Sequence, residues 1–147
     1  MATLAEVLLT DEKKPQVVRD CARVVDEEVS SKRGVSGIAI KAAYKTVKAF
    51  KPTIVPDVMA ALLPDFVGKM EPFYATHLEA GGGDFTTFCS RESDAIAHAL
   101  LGITDERADR SRHRSLVKAY KRLRPQGQKQ VVAAVPRIAA MLVRNGA

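Results

Sequence analysis

Three histidines, two cysteines, a few acidic clusters and a set of lysines are the side chains here with chemistry to offer. His77, His98 and His113 are scattered along the chain. Asp94 and His98 stand four residues apart, so on one helix they share a face. Two ligands do not make a metal site, and a packed or capped histidine is the simpler account. No Ser/His/Asp or Cys/His arrangement is visible from spacing. Asp105, Glu106 and Asp109 read as charges at a helix start rather than as a catalytic pair. Gly81-Gly82-Gly83 lacks the Gly-Lys-Ser/Thr ending of a phosphate loop. The chain is therefore read as a non-enzyme with no cofactor.

The lysines form a clearer pattern. Lys41, Lys45 and Lys48 recur at helical spacing, opposite an apolar stripe of Ile40, Tyr44, Val47 and Phe50. Residues 30–51 carry six basic residues and no Asp or Glu. An ordinary solvated face mixes both signs, so this one is a candidate surface for an anion. A solvated stripe with snorkelling stems is the plainer alternative. A second cluster holds Arg107, Arg110, Arg112, Arg114, Lys118, Lys121, Arg122, Arg124 and Lys129, with Asp109 as its one acid. Such clusters suit phosphate-backbone contacts, which depend on salt and not on sequence. The contact residues expected are Lys41, Lys45, Lys48, Lys118, Lys121 and Arg122.

Composition agrees with a folded, basic chain. Its 147 residues are enough for one domain with a real core, and 46% are apolar. The net charge of +6 makes nucleic acid, acidic proteins and anionic membranes candidate partners. Trp is absent and aromatics make up 5%, which weakens a base-stacking model. Cys21 and Cys89 are isolated and require no disulfide, pointing to a reducing, cytoplasmic setting. No signal peptide is visible, and no apolar run approaches the roughly 18 residues of a membrane span.

The elements that must position these residues are all helical. A short helix over residues 3–9 lays down Leu4, Val7 and Leu8. A second, from about 14 to 30, turns Val18, Cys21, Ala22, Val25 and Val29 inward. Asp26, Glu27 and Glu28 near its end are poorly placed for the helix dipole; they are read as solvent-exposed, with pairing to a basic neighbour as the alternative. The central helix begins at Ser36, an N-cap between the turn glycines Gly34 and Gly37, and stops at Pro52. Thr53 caps the next helix, which Pro64 breaks or kinks. A further helix then runs to Leu78, bent at Pro72. Gly81-Gly82-Gly83 is the clearest loop, and Asp84 caps the helix after it. Gly102 ends the following helix, and Thr104-Asp105-Glu106 starts another. Residues 115–123 and 128–144 form the last two, the second kinked at Pro136 with Val143 facing inward. The fold expected is an all-α bundle of six to eight helices, one domain over 1–147. Two halves, 1–80 and 84–147, hinged at the glycine loop, are the alternative.

Part of this pattern recurs. Val47-Lys48-Ala49-Phe50-Lys51 matches Val117-Lys118-Ala119-Tyr120-Lys121, and Ala60-Ala61-Leu62-Leu63-Pro64 matches Val132-Ala133-Ala134-Val135-Pro136. One reading is a helical hairpin used twice; chance similarity of short Val/Ala/Lys helices is the other. Neither hairpin is a DNA-reading helix-turn-helix, because its second helix is the more apolar one.

The opening residues 4–11, the Gly34-Val35-Ser36-Gly37 turn leading to Lys41 and Tyr44, the Leu62-Leu63-Pro64 step and the late Val117-Lys118-Ala119-Tyr120 carry a resemblance. The chain resembles a small family of uncharacterised bacterial all-helical proteins of about this length. That resemblance implies a bacterial cytoplasmic protein and supplies no activity. The function expected is a non-enzymatic binding module whose basic faces meet a polyanion, with nucleic acid read without sequence preference as one case. The alternative is an interaction protein that forms a homo-oligomer or takes an apolar ligand between bent helices, lined by Met59, Met70, Met141 and phenylalanines.

Overall fold

The computed structural model describes residues 2–147. Its helices are α1 (Leu4–Leu8), α2 (Lys14–Ser31), α3 (Gly34–Phe50), α4 (Ile54–Glu79), α5 (Phe85–Arg91), α6 (Ser93–Arg110), α7 (Arg114–Leu123) and α8 (Gly127–Arg144). A single 3-10 turn, Arg124–Gln126, joins α7 to α8. Among the described residues there is no strand, and no helix is long and apolar enough to cross a membrane. The fold is all-α.

Capping starts the short elements. The Thr3 hydroxyl accepts from the Glu6 N–H at 3.1 Å. The Glu71 carboxylate, far along α4, accepts from the N–H groups of Leu4 at 2.8 Å and Ala5 at 3.0 Å. Free N–H groups of the α1 first turn are thus satisfied by an anion, the charge a helix N-terminus favours. Asp84 caps α5 through Thr86 N–H at 3.2 Å. Before it, Gly81, Gly82 and Gly83 have φ of 102°, 75° and 94°, a left-handed run that side chains resist.

One contiguous apolar core joins both sides of that glycine loop. It takes Leu4 and Leu8 from α1, Val17 and Val24 from α2, and Leu63, Val67, Met70 and Tyr74 from α4. Phe85, Phe88, Cys89, Ile96, Val135, Ala139, Met141 and Leu142 complete it from beyond the loop. His77 lies buried against it, its ring 5.0 Å from Phe85 and 5.3 Å from Phe88. Among the described residues, none of α3 or α7 belongs to this core. Those two helices pack along each other instead, as a pair beside α4 and α6.

Several expected boundaries moved. α3 starts three residues early: Arg33 is the N-cap, Gly34 makes the turn with φ of 73°, and Ser36 lies inside the helix rather than capping it. Gly37 is buried, and a Cβ there would come within 2.8 Å of the Lys32 carbonyl carbon, so the position favours glycine. α4 is one helix of 26 residues that runs through both Pro64 and Pro72. α6 runs through Gly102, which places Thr104, Asp105 and Glu106 mid-helix. In α2 the buried stripe is Val17, Asp20 and Val24, one residue out of phase with the expected set. Phe50 and Val143 are exposed.

Candidate functional site

Between α2, α4, α6 and α8 the side chains do not close up. They leave a cavity of about 360 Å³, within the usual range for small-molecule sites. Met59, Leu62 and Phe66 of α4, Leu100 and Leu101 of α6, and Val131, Ala134 and Ile138 of α8 form most of its wall. Val25 and Val29 of α2, the residues expected in the core, line it too, which is why they remain half-buried. Ile40 of α3 and Leu123 of α7 close one side. Met59 and Met141 stand in the wall, and Met141 also belongs to the core, as Met70 does.

The polar members of the lining are few: Glu28, Lys32, Thr104 and Gln130. Glu28 is held between two cations, accepting from Lys32 Nζ at 3.1 Å and from Arg137 Nη1 at 3.1 Å. Arg137 also reaches Glu27 at 3.6 Å. The Asp26 carboxylate accepts from the Tyr44 hydroxyl and lies 3.9 Å from Lys48. Asp26 and Glu27 are exposed as expected and also partnered, while Glu28 is half-buried, so the pairing with basic neighbours holds for all three acids. Burial raises the Tyr44 hydroxyl pKa, and the bond to Asp26 adds to the rise. Cys21 is also in the cavity wall. Burial pushes its thiol up to about 12, with Asp20 adding to the effect, so it is not a reactive thiolate.

A second, more open groove of about 900 Å³ lies between the α3–α7 pair and α4 with α6. Val47, Phe50, Val58, Leu116 and Val117 line it, with Arg107, Arg110 and His113 among its polar members. His113 meets the edge of Phe50 at 4.9 Å. Leu62, Thr104 and Leu123 belong to both the groove and the cavity, and form the partition between them. Around it the Asp105 carboxylate accepts from Arg124 Nε at 2.7 Å, Arg124 Nη2 at 2.9 Å and the Tyr120 hydroxyl at 2.5 Å. The Arg124 bond, helped by Tyr120, holds the Asp105 carboxyl below the usual aspartate range.

The basic clusters divide on folding. Arg124 is taken by Asp105, Arg107 by Asp65 at 3.1 Å and Arg110 by Glu106 at 3.4 Å. The nine-cation cluster is thus smaller in space than in sequence. Lys41, Lys45, Lys48, Lys118, Lys121 and Arg122 are all exposed, on the two helices that pack together. Of these, Lys48 is partly engaged, by Asp26 and by the Tyr44 ring 5.2 Å away. Asp94 and His98 are exposed on α6, and among the described residues no three His, Cys, Asp or Glu groups gather as a metal site requires.

The model of a family of unknown function, DUF6918, matches residues 4–145. The chain belongs to that family. The match spans the whole helical array, from α1 to the end of α8. No curated protein and no solved structure matches the chain. The DUF6918 assignment supplies no activity, so function rests on the site.

The apolar residues of α2, α4 and α8 are legible in the sequence, but whether they meet or leave a gap depends on helix spacing, which periodicity does not carry.

Proposed function

We propose that this protein is a non-enzymatic binding module that houses an apolar chain or ring in the cavity between α2, α4, α6 and α8. The observation that carries this reading is the cavity's almost wholly apolar wall around 360 Å³. Apolar surface left facing water forgoes roughly 25 cal/mol per Å² relative to burial, so an apolar ligand seated on this wall gains by covering it. The setting we propose is the bacterial cytoplasm, resting on the family resemblance and the two isolated thiols.

The test is a titration with anilinonaphthalene sulfonate, with decanoic acid as the competitor. Saturable dye fluorescence that decanoic acid displaces is expected, and Ala134→Phe, which fills the cavity, abolishes it. No dye enhancement, or an enhancement that Ala134→Phe leaves unchanged, counts against the reading.

A second reading, binding of a polyanion, is favoured by one observation. The acid-free helices α3 and α7 pack on each other, and their exposed cations include Lys41, Lys45, Lys118, Lys121 and Arg122. Its signature is a steep loss of affinity with added salt.

A further inference from the structure

The outer face of α3 differs from an ordinary solvated helix face. Val35 is 87% exposed and Ile38 is 71% exposed, the two most exposed large apolar side chains among the described residues. Val35, Ile38, Ala42, Lys45 and Ala49 follow at steps of three and four, so they share one face. All five are exposed, and Lys41 and Lys48 flank them. No Asp or Glu occurs between Glu28 and Asp57. Tyr44 and Ile40 on the opposite side fix the helix to the rest of the protein, so this face stays outward.

We infer that the outer face of α3 docks on an anionic lipid surface, with Val35 and Ile38 entering the headgroup–acyl boundary and Lys41 and Lys45 meeting lipid phosphates. Such a boundary accepts apolar side chains while lysine stems snorkel to the charged layer. Nucleic acid fits this face less well. It offers no aromatic ring to stack on a base, and phosphate contacts leave exposed valine and isoleucine without a partner. The inference rests on the polyanion reading and names which polyanion.

The test is co-sedimentation of the full chain with vesicles of phosphatidylcholine alone and of phosphatidylcholine mixed with phosphatidylserine, beside a duplex DNA titration. Salt-sensitive binding to the anionic vesicles only is expected. Lys41→Gln and Lys45→Gln each weaken it about fivefold, the share of one basic residue near a charged bilayer. Val35→Ser with Ile38→Ser weakens vesicle binding at least as much and leaves any DNA affinity unchanged. Both side chains are exposed, so the double variant keeps its helical circular dichroism. DNA binding without vesicle binding overturns the inference and leaves the polyanion reading standing. Binding to neither overturns both. A dimer that the double variant dissociates overturns the inference too, since the face would then be covered by a second copy.

Discussion

Asp20 illustrates what a single residue does to the reading of a helix. It sits in the buried stripe of α2, 3% exposed, where a carboxylate is costly unless bonded. Asn145 Nδ2 donates to one oxygen at 2.9 Å and Gln16 Nε2 to the other at 3.0 Å. Desolvation pushes the carboxyl pKa up, but the bonds from Asn145 and Gln16, with Arg144 and Arg23 nearby, outweigh it and the net shift is downward. A depressed native value means the stabilisation is complete above the unfolded aspartate range, about pH 4, and fades as pH falls through the native value. Asn145→Ala leaves that carboxylate short of a donor and costs about 1–3 kcal/mol near neutral pH. Urea melts at neutral and acidic pH check this: the wild-type advantage should shrink in acid. An equal difference at both pH values would place the effect in packing rather than in the carboxylate.

α4 shows how packing overrides a local stop signal. A proline inside a helix costs about 3 kcal/mol, since it loses one hydrogen bond and crowds the carbonyl four residues back. Leu63, Val67, Met70 and Tyr74, all buried around Pro64 and Pro72, gain roughly 1.5–3 kcal/mol each for aliphatic or aromatic burial. Burial wins, and the helix continues. Arg107 Nη2 donates to the Ala61 carbonyl at 3.0 Å, and the Thr76 hydroxyl donates to the Pro72 carbonyl at 2.9 Å. Pro64→Ala, at an exposed site, restores an N–H for the Ala60 carbonyl and should raise stability by about 1–3 kcal/mol in a denaturant melt. A fall would mean the proline is needed for the packing of Leu63 and Phe66. The same competition explains which elements were legible. Helix type, the glycine loop and the Asp84 cap follow from residues within a few positions. The passage of α4 through two prolines, and of α6 through Gly102, depends on what the far side of each helix touches. So does the inward turn of Asp20, whose partner is 125 residues away.

At the scale of the whole molecule, the protein is a core with an attached helix pair. The core unites α1, α2, α4, α5, α6 and α8, while α7 buries only Ala119 and α3 only Gly37, Ile40 and Ala43. Beyond these, the pair is held by half-buried side chains such as Val47, Leu116, Val117 and Leu123 and by polar ties such as Asp105–Arg124 and Tyr44–Asp26. Elements with few buried apolar contacts open at lower free energy than the core. The pair also covers the groove, and its residues Ile40 and Leu123 close one side of the cavity. Opening it would widen access to the cavity past Leu62, Thr104 and Leu123. Native-state hydrogen exchange should show α3 and α7 opening together, well before the amides of α4 and α8. A ligand at about 100 times its dissociation constant adds roughly 2.7 kcal/mol to any opening that releases it. Decanoic acid should then slow exchange of α3 and α7 selectively if their opening is the route of entry. Slowing spread evenly over all helices would instead mean that the ligand leaves only on global unfolding, and that the basic pair is a fixed wall rather than a door.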